Sequence, residues 1–142
     1  MLQAVEKTAA VDAVQEAFPD VDPGVVPLGA RVLVQVRSVS LRTAGGIYLA
    51  PETREDKKWN TQVARVVALG PLAFCNRETG KPWTEGFWVR PGDFVRVPRW
   101  NGDRWEREIP GTDEAVRFVM FNDHELIGKL TMNPLEMKEY IL

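Results

Sequence analysis

Cysteine and histidine are almost absent from this chain, which has one of each among its 142 residues. The single Cys75 cannot form a disulfide within the chain, so we expect no disulfide framework and a reducing compartment. His124, followed by Glu125, suggests a metal or acid-base pair, but one histidine and one distant cysteine cannot complete a zinc site of the Cys/His type. No nucleophile with an oriented base is apparent either. We therefore expect no metal, no cofactor and no enzymatic activity.

Long apolar runs and a surplus of one charge are also missing. No stretch approaches the ~20 uninterrupted apolar residues that a membrane-spanning helix needs, so we expect no membrane protein. Residues 1–18 lack the basic region and apolar run of a secretory signal. Eighteen basic and 20 acidic residues give a net charge of −2, which provides no overall field to attract a phosphate backbone. Nucleic-acid binding would therefore need a local patch.

The length suits one domain, and the patterning within it is that of an all-β protein. Glycine and proline divide the chain into short segments in which β-branched residues recur at period two. In the first such segment, three valines are expected on a buried face and Arg31, Gln35 and Arg37 on a wet one. Short strands with long polar connections predict a small closed or nearly closed barrel, because closure removes unpaired edges. The predicted strands span residues 31–37, 61–69, 93–97, 116–121 and 124–130.

Helices are predicted only near the two ends. Apolar residues at positions 11, 14 and 18 indicate a weak amphipathic helix that Pro19 ends, in an arm that is either frayed or packed against a neighbour. Near the other end, Asn133 is a suitable N-cap and Pro134 suits the first helical position. A short helix is predicted from there toward Leu142.

The segment 38–60, between the first two predicted strands, is too long for a hairpin turn. Connections of this length without their own structure tend to be functional or disordered. Its first half sets Gly45 and Gly46 beside the apolar triplet Ile47, Tyr48 and Leu49, and its second half is mostly charged. The triplet is either exposed as an adhesive segment or packed into the chain's own core, and composition alone does not choose between these.

Four motifs follow one another along the chain, and a closing segment follows the last of them. They are Pro-Leu-x-x-Arg-Val-x-Val near residues 26–34, Gly-Gly-Ile-Tyr-Leu in 43–49, a valine-rich strand at 63–70, Val-x-x-Gly-Asp-x-Val in 89–95, and the closing segment 123–130. In this order they resemble the GroES-type co-chaperonins, the chaperonin-10 family, over roughly residues 25–130.

The resemblance implies a GroES-like barrel at 25–130 with a mobile loop at 38–60 and a roof loop or hairpin at 71–88, between extensions at 1–24 and 131–142. It also implies a homo-oligomer, a ring of seven copies, that caps a nucleotide-bound GroEL-type chaperonin and closes the folding chamber around a client protein. Each copy would reach its partner with one mobile loop. The implied chaperonin-binding residues are Gly45, Gly46, Ile47, Tyr48 and Leu49.

The roof segment carries more aromatic residues than the family resemblance leads us to expect. The candidates for the roof or for the lining of the dome are Phe74, Trp83, Phe87, Trp88 and Trp100. Cys75, in the same loop, is predicted to be an exposed thiol. Enlarged loops and divergent arms are reminiscent of co-chaperonins encoded by bacteriophages. We expect a cytoplasmic protein, in the host cytoplasm if it is phage-encoded.

The alternative function is a small OB-like barrel that binds single-stranded nucleic acid or a structural protein partner. Residues 99–105 interleave tryptophans with arginines, as stacking platforms for single strands do. Against this, neighbouring acidic residues neutralise the patch. Asn101 and Gly102 instead predict a hairpin turn with Trp100 and Trp105 packed across it. We therefore expect no nucleic acid among the partners.

Overall fold

The structure, a computed structural model, describes residues 13–37 and 62–137. Among these residues, six strands and two short 3-10 helices follow a helical stretch at 13–17. The strands are β1 (Arg31–Val36), β2 (Val63–Leu69), β3 (Phe94–Arg96), β4 (Asp103–Glu108), β5 (Ala115–Asn122) and β6 (Gly128–Lys129). The 3-10 helices span Asp123–Glu125 and Pro134–Glu136. The predicted all-β fold with few helices is confirmed.

All six strands form one antiparallel sheet in the order β4-β5-β1-β2-β3-β6. Only residues 123–127, which begin with the 3-10 turn Asp123–Glu125, separate β5 from β6 in the chain. The path β5-β1-β2-β3-β6 therefore begins and ends on neighbouring stretches of chain, and the sheet nearly closes on itself. β4 is an additional strand on the edge of β5.

The inner face of the sheet forms the main core. The three valines of β1 are at most 3% exposed, as the alternating pattern predicts. They cluster with Val66, Val95 and Phe121 from the neighbouring strands. Residues from the connection between β2 and β3, chiefly Phe74 and Val89, complete this core. Because the apolar residues of four strands meet here, the inner face accounts for most of the fully buried side chains.

The outer face of β1 is buried at its centre. The predicted wet face is confirmed at Arg31, which is exposed, and is wrong at Gln35. Leu33 and Gln35 are 0% and 1% exposed. The cause is the N-terminal segment 13–24, which crosses this face: Val21 packs in the cluster around Leu33. The Gln35 amide donates to the carbonyl oxygen of Pro19 at 2.7 Å and accepts from Arg65 at 2.8 Å. These bonds satisfy a polar side chain that burial alone would destabilise.

The two terminal segments are helical, as the sequence predicts, only over short stretches. Residues 13–17 are helical and the Phe18 amide donates to the Val14 carbonyl at 2.8 Å, so the predicted N-terminal helix is confirmed where the structure describes it. The Asn133 side chain accepts from the Leu135 amide at 2.9 Å, as an N-cap does. The turn that follows is a 3-10 helix, and residues 138–142 lie outside the described part of the chain.

The predicted hairpin turn at Asn101-Gly102 is wrong. β3 already has β2 and β6 on its two sides, so β4 cannot pair with it and pairs with β5 instead. The turn of that hairpin lies at residues 109–114, where the Ile109 amide donates to the Glu114 carbonyl at 2.8 Å. Trp105 stacks on Phe118 with ring centroids 5.9 Å apart, while Trp100 is 74% exposed, so the two tryptophans do not pack together.

Candidate functional site

The ends of β1 and β2 that flank residues 38–61 lie side by side. Val36 pairs with Ala64, and the Arg37 amide donates to the Val63 carbonyl at 3.1 Å. We call these paired strand ends the loop stem. Because β1 and β2 are antiparallel neighbours, the chain leaves and re-enters the sheet at one place. The predicted binding residues lie outside the described residues, and their role stays a prediction: Gly45, Gly46, Ile47, Tyr48 and Leu49.

Gln62 ties the second half of the loop stem to the segment after β3. Its backbone carbonyl accepts from the Val97 amide at 2.8 Å, and its side-chain amide donates to the Val97 carbonyl at 3.3 Å. Its side-chain oxygen accepts from Arg96 at 3.3 Å and from Arg99 at 2.9 Å. These bonds to two cationic groups fix the residue at which the chain re-enters the sheet.

The roof segment 71–88 folds around one buried aromatic ring. Phe74 is fully buried, and the rings of Trp83 and Trp88 lie 5.5 and 5.8 Å from it. Trp83 and Trp88 are also edge-to-face with each other at 5.0 Å, a favoured arrangement for aromatic pairs. Phe87 and Trp100 are the exposed members of the predicted roof set, at 46% and 74%. Which of these rings faces a chamber stays a prediction.

Cys75 is buried, so the prediction of an exposed thiol is wrong. It forms an isolated antiparallel bridge with Pro82, and the Trp83 amide donates to the Phe74 carbonyl at 2.9 Å. The roof segment thus doubles back on itself and covers the thiol. The sequence carries no apolar alternation here that would have predicted this bridge.

Asp123 anchors the roof to the sheet. The sequence does not predict a role for its side chain. Its side chain is buried, and its carboxylate accepts from the Phe74 amide at 2.9 Å and from the His124 amide at 2.8 Å. Phe74 has φ of +59°, in the left-handed region that bulky residues rarely adopt. The carboxylate therefore holds an unfavourable backbone conformation at the base of the roof. The sequence signal for Asp123 was its place in the closing motif of the family.

The arginines of the alternative nucleic-acid patch are engaged within the chain. The Arg104 guanidinium donates to the carbonyls of Arg99 and Asn101. Burial, together with the nearby positive charge of Arg117, lowers the pKa of Arg104. Trp105 donates its indole N–H to the Pro23 carbonyl at 2.8 Å. Of the two tryptophans in this segment, only Trp100 presents an exposed ring, so little of a stacking platform remains.

Within residues 13–37 and 62–137 there is no cluster of three or more side chains suited to hold a metal ion. In the same ranges, the helical stretches are too short and too polar to cross a bilayer.

Comparison with known proteins gives the family. The sequence model of Cpn10, the chaperonin 10 Kd subunit, matches residues 24–130. This chain belongs to the chaperonin-10 family. The mitochondrial 10 kDa heat shock protein of Saccharomyces cerevisiae is 35% identical over 106 residues, which is 75% of this chain and 88% of that protein. The co-chaperonins GroES of Lactobacillus delbrueckii subsp. bulgaricus and Lactobacillus helveticus are 34% and 35% identical over 82 residues, or 58% of this chain and 79% of each relative.

Membership confirms the resemblance to GroES-type proteins. Membership, together with the relatives named GroES, gives this chain a co-chaperonin role. The family match begins at residue 24. Most of the N-terminal segment that covers the outer face of the sheet therefore precedes the part that the family model matches.

Proposed function

We propose that this co-chaperonin caps a GroEL-type chaperonin through Ile47 and Leu49 and closes the folding chamber around a client protein. The observation that carries the proposal is the Gly-Gly-Ile-Tyr-Leu motif within a long segment whose two ends are held together by β1 and β2. In an extended strand Ile47 and Leu49 would share one face, because side chains alternate. Two aliphatic anchors can then enter one apolar groove of the partner.

The expected energies favour many weak contacts over one strong contact. Burying two aliphatic side chains contributes about 3–6 kcal/mol. Ordering a flexible segment costs about 1–2 kcal/mol for each backbone residue that becomes fixed. One segment alone should therefore bind poorly. Linking several copies on one ring makes the later contacts intramolecular, with gains of about 10²–10⁴ over a single site.

Exposed apolar side chains support a ring of seven copies. Val26 and Leu28, just before β1, are 78% and 70% exposed, and Ile127, just before β6, is 59% exposed. Exposed apolar residues such as these are suited to contact neighbouring copies. A rigid ring would present all seven binding segments toward the chaperonin together.

For its location we propose the cytoplasm, and the host cytoplasm if the chain is phage-encoded. The absence of a second cysteine in the sequence supports a reducing compartment.

The test is a charge substitution at each anchor. Ile47→Asp and Leu49→Asp should abolish co-elution with a bacterial chaperonin in ADP and should no longer suppress its ATP turnover, because a carboxylate cannot enter an apolar groove without a large desolvation cost. Thr53→Asp adds the same charge within the same segment and is the matched control. Light scattering should report about seven chains per particle for the parent and all variants.

Suppression of ATP turnover by Ile47→Asp at the parent's level would contradict the assignment of the anchors. A monomer or dimer with salt-sensitive oligonucleotide binding, and no complex with the chaperonin, would favour the nucleic-acid alternative instead.

A further inference from the structure

Residues from both terminal segments meet at the loop stem. Phe18 is 1% exposed and its ring centroid lies 5.1 Å from that of Phe94 in β3. The same cluster includes Val63, the first residue of β2. We call this group the stem cluster; its members are Val14, Ala17, Phe18, Val63, Phe94, Leu130, Leu135 and Met137.

The stem cluster acts on the strand end that follows the binding segment. Val63 is the residue whose carbonyl accepts the Arg37 amide across the loop stem. It is fully buried in the cluster that Phe18 and Phe94 share. The position of Phe18 is therefore coupled through direct packing to the hydrogen bond that holds the two strand ends together.

The N-terminal segment also holds the strand end that precedes the binding segment. Gln35 lies in β1, two residues before Arg37, and donates to the Pro19 carbonyl at 2.7 Å. Arg65 in β2 donates to the other end of the same amide at 2.8 Å. Consecutive residues Phe18 and Pro19 thus contact both strands of the loop stem, one by packing and the other by a hydrogen bond.

Two further bonds hold the rest of the segment against the far edge of the sheet. The Trp105 indole donates to the Pro23 carbonyl at 2.8 Å, and Arg107 donates to the Asp22 carbonyl at 3.2 Å. Both donors belong to β4, on the opposite side of β1 from β2. The segment is therefore fixed at each end of its path across the sheet.

We infer that residues 13–19 form a brace for the loop stem, with Phe18 and Gln35 as positioning residues for chaperonin binding. This inference rests on the proposed function, in which the segment 38–61 docks. Strand ends without tertiary contacts open locally at little cost in free energy. Each stem residue released in this way adds to the chain that must be ordered on docking, and so weakens binding. The brace limits that loss by keeping both strand ends in the sheet before the partner arrives.

The test compares conservative variants within one segment of the full-length chain. Phe18→Leu and Val14→Ala reduce packing in the stem cluster. Val21→Ala removes the same atoms as Val14→Ala from an equally half-buried position, but from the cluster around Leu33. Phe18→Leu retains an apolar side chain of similar size, which keeps the fold intact.

Amide hydrogen exchange in the free protein measures how readily the hydrogen bonds of the loop stem open. The Arg37 and Val97 amides, which donate to the carbonyls of Val63 and Gln62, should exchange at least about tenfold faster in Phe18→Leu and Val14→Ala than in Val21→Ala. The Trp83 amide in the roof segment, which donates to the Phe74 carbonyl and lies outside both clusters, is the internal reference and should be unchanged. The Kd for the chaperonin in ADP should rise by at least about tenfold, the factor expected when one more backbone residue must be ordered in a single binding segment.

Equal exchange at Arg37 and Val97 in all three variants would overturn the inference, and so would faster stem exchange without any change in Kd. A parent protein that forms no complex with the chaperonin would refute the proposed function. The exchange measurement on the free protein would then still decide whether the segment braces the stem.

Discussion

Removing the buried carboxylate of Asp123 should destabilise the protein through the roof segment. Asp123→Ala leaves the buried amide of Phe74 without the oxygen that accepts its hydrogen bond at 2.9 Å. It also removes the oxygen that accepts from the His124 amide. A hydrogen bond to a charged group contributes about 1.5–3 kcal/mol, and a buried donor without a partner costs about 1–3 kcal/mol. These contributions overlap, so we expect the free energy of unfolding to fall by about 2–4 kcal/mol.

The conservative variant separates the carboxylate from the rest of the side chain. Asp123→Asn retains one acceptor oxygen, whereas the two oxygens of Asp123 accept from two different amides. Its loss should therefore be about half that of Asp123→Ala, or about 1–2 kcal/mol. Urea unfolding measures both, with all proteins at one concentration because assembly stabilises the folded state.

A loss below about 0.5 kcal/mol for Asp123→Ala, the level of an ordinary surface substitution, would refute this reasoning. It would mean that the Phe74 amide finds another partner and that the left-handed conformation of Phe74 does not depend on the carboxylate.

Two further predictions concern the edge strand and a close backbone contact. Glu106→Gln should lower the free energy of unfolding in urea by about 1–2 kcal/mol, because it removes the negative charge that lies 2.6 Å from the guanidinium of Arg117, which is 7% exposed. Glu108→Gln on the same strand should change the free energy of unfolding by less than about 0.5 kcal/mol, and equal effects would contradict the prediction. Gly70→Ala should lower the midpoint of thermal unfolding markedly, because the new Cβ would overlap a backbone carbonyl. Gly128→Ala is the control, because its new Cβ meets open space. Midpoints of the two variants within a degree or so of each other would show that the backbone at Gly70 shifts to accommodate the methyl group.

The inner face of the sheet could be predicted from sequence because its pattern is local. Alternating valines identify a strand with one buried side whatever lies beyond it. The same pattern misassigned Gln35, because its burial depends on Pro19, 16 residues earlier, which no periodicity within β1 reveals. β4 was missed for a related reason: its charged residues suit an exposed edge strand, and it is a strand only because β5 pairs with it.

In the candidate site, too, some residues could be predicted from the sequence and others could not. The proposed anchors Ile47 and Leu49 were suggested by the apolar triplet beside two glycines together with its place in the order of family motifs, and both are features of the sequence alone. The supporting contacts could not, because each joins distant parts of the chain. Asp123 and Phe74 are 49 residues apart, and the partner that a buried carboxylate selects depends on the folded path between them.

The cover over the outer face of the sheet has an evolutionary consequence. Leu33 and Phe118, fully buried on that face, are apolar residues that only a covered surface tolerates. A descendant that lost residues 13–24 would remove Val21 from the cluster around Leu33 and the acceptor of the Gln35 amide, and would leave this face less completely covered. Polar substitutions on that face of the sheet would therefore have to precede the loss of the segment for the shortened chain to keep its stability.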